Sequence, residues 1–298
     1  MKANISLLVL LLSATVILTA CGDDDESSTT PSPAGGIASG KLEFPALHGS
    51  GSIVVTHTAT LNDATGAEGT NYSVEWDTEK HAQRWSCYKM YALVNANKVS
   101  RYYTTDKTLS ASGQYPNDPD LPAEYHFTSD PFWGSGYDHG HICPSYDRVC
   151  SKQANYQTFF MTNMMPQGND FNAGIWASME AQVRSWAAKY DTLYVCKGGT
   201  IDRSDHIIRY LGSGSNKIPV PRFFYMAVLG RYKDTFRATG YWINQESYYS
   251  NTPKTYMVSI AELQKNTGID FFCNLPDDIE TQVENVSRTQ MESEWYQK

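Results

Sequence analysis

Between residues 137 and 184 the chain crowds together side chains that can do chemistry. Tyr137-Asp138-His139-Gly140-His141-Ile142-Cys143-Pro144-Ser145 holds two histidines at i and i+2. In extended chain these share one face, and Cys143 joins them. Read alone, His139, His141, Cys143 and Cys150 suggest a metal site. Structural zinc sites, however, pair their ligands as C-x₂₋₄-C and H-x₃₋₅-H, which H-x-H-x-C does not match. Further on, Asn172, Trp176, Glu180 and Arg184 step by four residues. On a helix of about 3.6 residues per turn they form a slanting row. Beside it runs an apolar row of Ile175, Met179 and Val183. Such a helix packs one row inward and offers an amide, a carboxylate and a guanidinium to a cleft. Taken alone, Glu180 and Arg184 read equally as a surface ion pair worth about 0.3–0.5 kcal/mol.

Together the segments make an ordered pattern. Asp138-His139-Gly140-His141-x-x-Pro144 is followed by Thr162-Asn163-Met164-Met165-Pro166-Gln167, then Asn172-Ala173-Gly174-Ile175-Trp176, then Glu180 and Arg184. This order and spacing resemble the DNA/RNA non-specific endonucleases, the His-Me finger or ββα-metal nucleases. Their pattern reads D-R-G-H-x-x-P, N-x-x-P-Q and N-x-G-x-W-x-x-x-E-x-x-x-R. The resemblance runs over most of residues 41–298, including Asn71-Tyr72-Ser73-Val74-Glu75, Arg84-Trp85 and Ile269-Asp270-Phe271-Phe272.

The resemblance implies roles for the matching residues. His141 is the general base. Asn172 is the sole protein ligand of Mg²⁺, for which Mn²⁺ or another divalent cation could stand in. Glu180 holds metal-bound water and Arg184 contacts phosphate. Asn163 supports the site beside His141, and Asp138 and Gly140 shape its turn. One position departs from the family: His139 stands where the pattern has Arg. Arg is a permanently charged planar fork, whereas His meets phosphate as a cation only when protonated. His139 is therefore a substrate-binding or a structural residue. The implied substrates are DNA and RNA, single- and double-stranded, cut to 5′-phosphate products.

These residue types suit phosphodiester cleavage. A His near its unperturbed pKa of about 6.5 is half neutral near physiological pH and can take a proton from attacking water. A divalent cation neutralises phosphate and the leaving oxygen. A neutral Asn ligand leaves the ion its full charge but holds it weakly. Arg184 adds a charge-assisted contact to the backbone, which positions without reading sequence.

The elements that must position these groups are mostly strands. Ser52–Thr58, Trp85–Val94, Thr158–Thr162, Thr192–Cys196 and Val220–Leu229 are rich in β-branched and aromatic residues. Residues 172–189 show helical periodicity, with Ile175, Met179, Val183 and Trp186 on one side. Further helices are expected over Ile260–Lys265, ending near Gly268, and over Asp277–Arg288. Residues 100–136 read as loop, and Leu211 to Lys217 as a hairpin loop. The expected class is α+β, a mixed or antiparallel sheet core, with residues 41–298 as one domain.

Residues 1–20 read as a secretory leader: Lys2, an apolar run, then Leu18-Thr19-Ala20-Cys21. That end resembles the lipobox of bacterial lipoproteins, which implies lipidation of Cys21 and a membrane anchor. Gly22-Asp23-Asp24-Asp25-Glu26 resembles a surface-export signal. Residues 27–40 form a Ser/Pro/Gly tether, so 21–40 link lipid to domain. The expected location is the outer membrane at the cell surface, or its periplasmic face. Outside the cytoplasm, Cys87, Cys143, Cys150, Cys196 and Cys273 favour at least one disulfide.

The formal net charge is −8 over 298 residues. It falls as −3 on residues 1–40, zero on 41–260 and −5 on 261–298. A bulk basic face is thereby excluded, and nucleic-acid binding has to rest on a focused site. The 20 Tyr and 7 Trp keep one alternative in view, a surface lipoprotein that stacks glycans on aromatic rings; a further alternative is a related phosphodiesterase restricted to RNA.

Overall fold

The β-branched and aromatic segments build a seven-stranded antiparallel sheet. The computed structural model describes residues 41–96, 98–104 and 111–296. The leader, Cys21 and tether expected in 1–40 lie outside the described residues. In chain order the strands are β1 (Ser52–Asn62), β2 (Ala67–Asp77), β3 (Ala82–Tyr91), β4 (Tyr137–His141), β5 (Met164–Gly168), β6 (Thr192–Gly199), β7 (Ile207–Leu211), β8 (Ile218–Pro221), β9 (Phe223–Tyr232), β10 (Thr235–Asn244) and β11 (Met257–Val258). The main sheet runs β1-β2-β3-β6-β9-β10-β11. β4 pairs with β5, and β7 with β8, as separate antiparallel ribbons. The architecture is α+β, as expected.

Both faces of the main sheet are covered. Val74, Met90, Val195 and Val228 join one core with Ile175, Met179 and Val183 of the helix Ala177–Ala187 and the turn before it. Trp85, Cys87, Cys196 and Ala227 join a second core with Leu263, Phe271 and Phe272. Neighbouring residues of a strand point to opposite faces. Hence Val195 and Lys197 face the helix while Cys196 faces away.

Several expectations are corrected. Thr158–Thr162 is not a strand: residues 158–160 turn, and Met161–Asn163 is one 3₁₀ turn. Side-chain bonds hold it there, from Thr158 Oγ1 to the Asn155 carbonyl (2.7 Å) and from Asn163 Nδ2 to the Thr158 carbonyl (2.8 Å). Trp85–Val94 stops as a strand at Tyr91 and continues as the short helix Ala92–Ala96. Val220–Leu229 is two strands, β8 and β9. Asp277–Arg288 is not one helix; Asp277–Glu284 ends and Arg288–Tyr296 begins anew. The latter packs Met291 and Trp295 against the core, so the acidic C-terminal stretch belongs to the folded body. The helix Ile260–Thr267 stands as expected, capped by Ser259 and ended by Gly268 at φ 75°. Leu211 to Lys217 connects a hairpin, β7 to β8. No described helix is long and apolar enough to cross a membrane.

The expected disulfide is absent among the described residues. All five cysteines are thiols. Cys87 and Cys196 are direct register partners across β3 and β6, both fully buried.

The stretch read as loop is anchored, not loose. Asp118 carries it: its carboxylate lies 3.0 Å from Nε2 of the buried His57 in β1 and accepts from Thr162 Oγ1.

Candidate active site

β4 and β5 form the ribbon that presents the histidines, and the following helix crosses beneath it. Gly140 sits within β4, not in a turn. A Cβ there would fall 2.3 Å from the Gln167 side chain of β5, so the ribbon closes only over glycine. The helix begins at Asn169–Phe171, widens to one π-helical turn over Asn172–Trp176, and continues as Ala177–Ala187. Such π insertions recur at functional sites. The expected row splits here. Asn172, Glu180 and Arg184 line a cleft, whereas Trp176 turns into the core at 1% exposure. Its indole Nε1 donates to the His141 carbonyl at 3.2 Å, tying helix to ribbon.

The cleft holds about 570 Å³ and is also lined by Arg101, Tyr115, Asp138, His139, His141 and Tyr146. His141 packs edge-on against Phe159. Its Nε2 is buried with no hydrogen-bond partner among the described residues. Burial, then the charge of Arg101, push the His141 pKa down to about 3. This corrects the expectation of a half-neutral histidine: the ring is neutral across the physiological range.

Asp138 fixes Asn172. Its Oδ2 accepts from Asn172 Nδ2 at 3.0 Å and from Asn169 Nδ2 at 3.2 Å. With Nδ2 committed, Asn172 presents Oδ1 as its remaining donor atom toward a cation. Glu180 lies across the cleft. Burial raises its pKa; Lys197 pulls it back, Asp147 adds to the rise, and Arg184 opposes it. An amide oxygen, a carboxylate and an orphaned imidazole nitrogen in one polar cleft are hard oxygen donors beside a base. That set suits Mg²⁺, which prefers few protein oxygens and several waters.

Asn163 is completely buried and fully bonded. Its Nδ2 donates to the carbonyls of Cys143 and Thr158, both at 2.8 Å, and its Oδ1 accepts from Cys143 N at 2.8 Å and Ser86 Oγ at 3.2 Å. It clamps the chain just after His141 and meets no substrate. Arg184 donates to Asp147 Oδ1 at 2.9 Å while remaining partly open to the cleft.

The zinc arrangement does not form. Cys143 is buried, and its thiol is pushed up to about 12, so it stays protonated. Among the described residues, the two groups of His, Cys, Asp and Glu close enough to share an ion include neither His139 nor His141. His139 itself is sandwiched. Tyr115 stacks on one face at 3.9 Å and Phe132 on the other at 4.2 Å, and its Nε2 lies 3.0 Å from Asp130. Its expected substrate contact gives way to this arrangement: the ring is a wall of the cleft, with its outward nitrogen already engaged.

Two residues were missed by the sequence reading. Arg101 enters the cleft from the stretch read as loop, donating to Ser145 Oγ with its guanidinium 4.7 Å from the Phe159 ring. Its signal is an isolated cation before Tyr102-Tyr103. Lys197 is 0% exposed, with Nζ 3.4 Å from Glu180 Oε1 and 4.8 Å over the Trp176 ring. Its signal is a lysine interrupting the apolar run Leu193-Tyr194-Val195-Cys196.

An antiparallel ribbon bearing an imidazole base, crossed by a helix bearing Asn and Glu, defines a ββα-metal centre of the His-Me finger kind. The chain belongs to the DNA/RNA non-specific endonuclease family, whose model matches residues 52–278. It is 26% identical over 217 residues to the mitochondrial nuclease EXOG of Xenopus laevis, spanning 70% of this chain and 58% of that relative. It is 28% identical over 225 residues to a nuclease of a Nostoc species, spanning 72% of this chain and 75% of the relative. To nuclease C1 of Cunninghamella echinulata it is 30% identical over 194 residues, spanning 60% and 77%. The match thus spans less than two thirds of the frog protein's length. In fold, it resembles EndoG in a crystal structure of the EndoG/EndoGI complex. The TM-score is 0.57 at 22% identity, covering 70% of this chain and 85% of that one. The family and these named relatives are nucleases, and nucleases of this family depend on a divalent metal.

Proposed function

We propose that this protein is a sequence-non-specific endonuclease that hydrolyses phosphodiester bonds of DNA and RNA, leaving 5′-phosphates. The observation that carries the reading is the pairing of His141, whose buried Nε2 has no hydrogen-bond partner among the described residues, with an Asn172 whose amide is turned by Asp138. His141 accepts the proton of an attacking water through Nε2. Unprotonated, the ring has a lone pair to accept with, and the Trp176 bond to the His141 carbonyl ties this residue to the helix. Arg184 and Arg101 hold the phosphate by charge-assisted contacts. Their number is small, so the backbone is gripped without any reading of bases. Asn172 Oδ1 would hold a divalent cation, Mg²⁺ by its hard oxygen donors, with Glu180 on its water shell. When bound, that ion neutralises phosphate charge and the leaving oxygen. Lys197 keeps the Glu180 carboxylate in place from beneath.

The test is cleavage of plasmid DNA and of a structureless RNA in Mg²⁺, by the intact chain and by His141→Ala. Loss of both activities in the variant, with an unchanged circular dichroism spectrum, is expected. Full activity in the variant, or in excess EDTA, would refute the reading; RNA cleavage alone would select the RNA-restricted alternative.

We also propose export as a lipoprotein anchored through Cys21, at the outer membrane and its cell surface. Labelled palmitate should enter the intact chain and not Cys21→Ala; equal labelling would remove the anchor.

A further inference from the structure

Pro144 leads into a 3₁₀ turn, Ser145–Arg148, that is buried everywhere except at one residue. Ser145, Asp147 and Arg148 are 1–2% exposed; Tyr146 is 61% exposed. The buried members are bolted down. The Ser145 carbonyl accepts from Asn155 Nδ2 at 2.7 Å, and Asp147 accepts from the Tyr88 hydroxyl at 2.9 Å. Arg148 donates to the carbonyls of Asn71 and Lys89, both at 3.0 Å. The backbone under Tyr146 is therefore fixed while its ring stands in the cleft that holds His141, Asn172 and Glu180. The guanidinium of Arg184 lies 5.2 Å from the ring centroid.

A lone exposed tyrosine needs no explanation by itself. This one differs in three respects: it is rigidly mounted, it lines the polar cleft, and it adjoins the cation assigned to phosphate. A flat π-surface one side chain away from a phosphate contact is the layout of a base-stacking platform. In a duplex, base faces are covered by their neighbours, and a side chain reaches them only after the nucleotide is flipped out. In a single strand the base beside the gripped phosphate is free to lie on the ring.

We infer that Tyr146 stacks an unpaired nucleobase and so gives the site a preference for single-stranded over duplex nucleic acid. The inference rests on the nuclease reading and names the strandedness of its substrate. The sugar is not read by a ring face, so DNA and RNA strands share the effect. Tyr146 is a substrate-binding residue, and the chemistry stays with His141.

The experiment uses the whole chain. In the His141→Ala background, anisotropy measures binding of a fluorescent 12-mer single strand, the same sequence as a duplex, and a single strand with abasic sites, all in Mg²⁺. Adding Tyr146→Ala should weaken single-strand binding by about 5-fold to about 150-fold, the range for losing one stacked base. Duplex binding should change less than about 2-fold. The abasic strand should bind the Tyr146-bearing protein as weakly as the normal strand binds Tyr146→Ala. Tyr146→Phe and Tyr146→Trp should keep the preference, which separates stacking from loss of fold. In the active chain, Tyr146→Ala should raise KM for single strands and leave kcat within about 2-fold. Tyr232→Ala, which removes an exposed ring away from the cleft, should change nothing. An equal loss on both strand forms, no loss on either, or a Phe variant that behaves as Ala would overturn the inference. Those outcomes leave the nuclease reading intact; that reading fails instead if the unmutated chain cuts neither strand form.

Discussion

Removing the carboxylate of Asp138 should loosen the metal without touching any group that meets substrate. Asp138 Oδ2 accepts from Asn172 Nδ2 at 3.0 Å, and that bond turns the amide so that Oδ1 faces the cleft. A hydrogen bond to a charged group contributes about 1.5–3 kcal/mol net. At about 1.4 kcal/mol per factor of ten, its loss corresponds to roughly 10-fold to 150-fold in affinity. Removing residues that orient a metal ligand costs about 10–100-fold, so the two routes agree. Asp138→Ala should therefore weaken cation binding by about that much. Asp138→Asn retains a neutral acceptor worth about 0.5–1.5 kcal/mol, and should lose only about 5–12-fold. The assay is Mn²⁺ binding followed by electron paramagnetic resonance, with no nucleic acid present, so that affinity is read apart from turnover. In a second assay, saturating Mg²⁺ should restore most of kcat to Asp138→Ala, because His141, Glu180 and Arg184 are unchanged. An Asp138→Ala protein that binds Mn²⁺ as tightly as the unmutated chain refutes the claim that Asp138 turns the amide. So does an Asn variant weaker than the Ala variant.

Other outcomes follow from the same geometry. His141, held at about 3 against about 6.5 in the unfolded chain, should show no titration between pH 5 and 8 in its ring NMR signals; an apparent pKa near 6.5 would contradict the site. Because its folded pKa is depressed, the unfolded chain binds the extra proton below about pH 6.5. Stability should thus fall as pH drops from 6.5 toward 3, and by less in His141→Gln, as measured by urea denaturation. Lys197→Met strips the ammonium 3.4 Å from Glu180 Oε1 and should destabilise by about 3–5 kcal/mol. Adding Glu180→Gln should recover part of that loss, and strict additivity would show the two are not coupled. Asn163→Ala leaves the amide of Cys143 and two carbonyls without their partner. It should cost about 3 kcal/mol or more in thermal or denaturant unfolding, and a neutral result would remove the clamp. With two cleft guanidiniums on the phosphates, the log–log salt slope for duplex binding should be near −2, against the steep slope of a protein with many phosphate contacts.

The chemistry was more legible in the sequence than the frame around it. His141, Asn172, Glu180 and Arg184 stand in one cleft because short-range spacing within a ribbon and a helix decides their faces. Spacing alone could not show that Trp176 leaves the row. That depends on a π-helical turn and on the His141 carbonyl as its partner. The central strands carry apolar residues on both faces, since cores lie above and below them. Burial on two sides blurs the alternation that marks a half-exposed strand in β10, whereas in β2 Tyr72, Val74 and Trp76 do alternate with Asn71, Ser73 and Glu75, so the strand signal there is present in the sequence; neither was anticipated as a strand. Thr158–Thr162 failed for the opposite reason. Its composition is strand-like, but Thr158 and Asn163 bond to nearby backbone and hold a turn. The disulfide expectation rested on compartment, and the structure departs from it: Cys87 and Cys196 are register partners inside a core and both are thiols.

The partners of His139 explain how the family's arginine can be replaced here. An arginine fork needs room and a free anion; at 139 the room is taken, the ring lying between Tyr115 and Phe132, and its outer nitrogen already meets the Asp130 carboxylate. All three partners come from the stretch that composition marks as loop, so no local pattern at 137–145 could reveal them. Arg101 comes from that stretch too, and it brings a guanidinium into the same cleft from another direction. Among the described residues it meets a hydroxyl and a ring and no carboxylate. The neighbouring cations are differently placed: Arg184 has Asp147, and Lys197 has Glu180. Each of those pairs is neutral in sum. The charge available to phosphate is then Arg101, the exposed part of Arg184 and the cation. If the cleft takes phosphate and a cation as proposed, so little free positive charge would bind phosphate firmly only with the ion present, which would couple metal affinity to substrate.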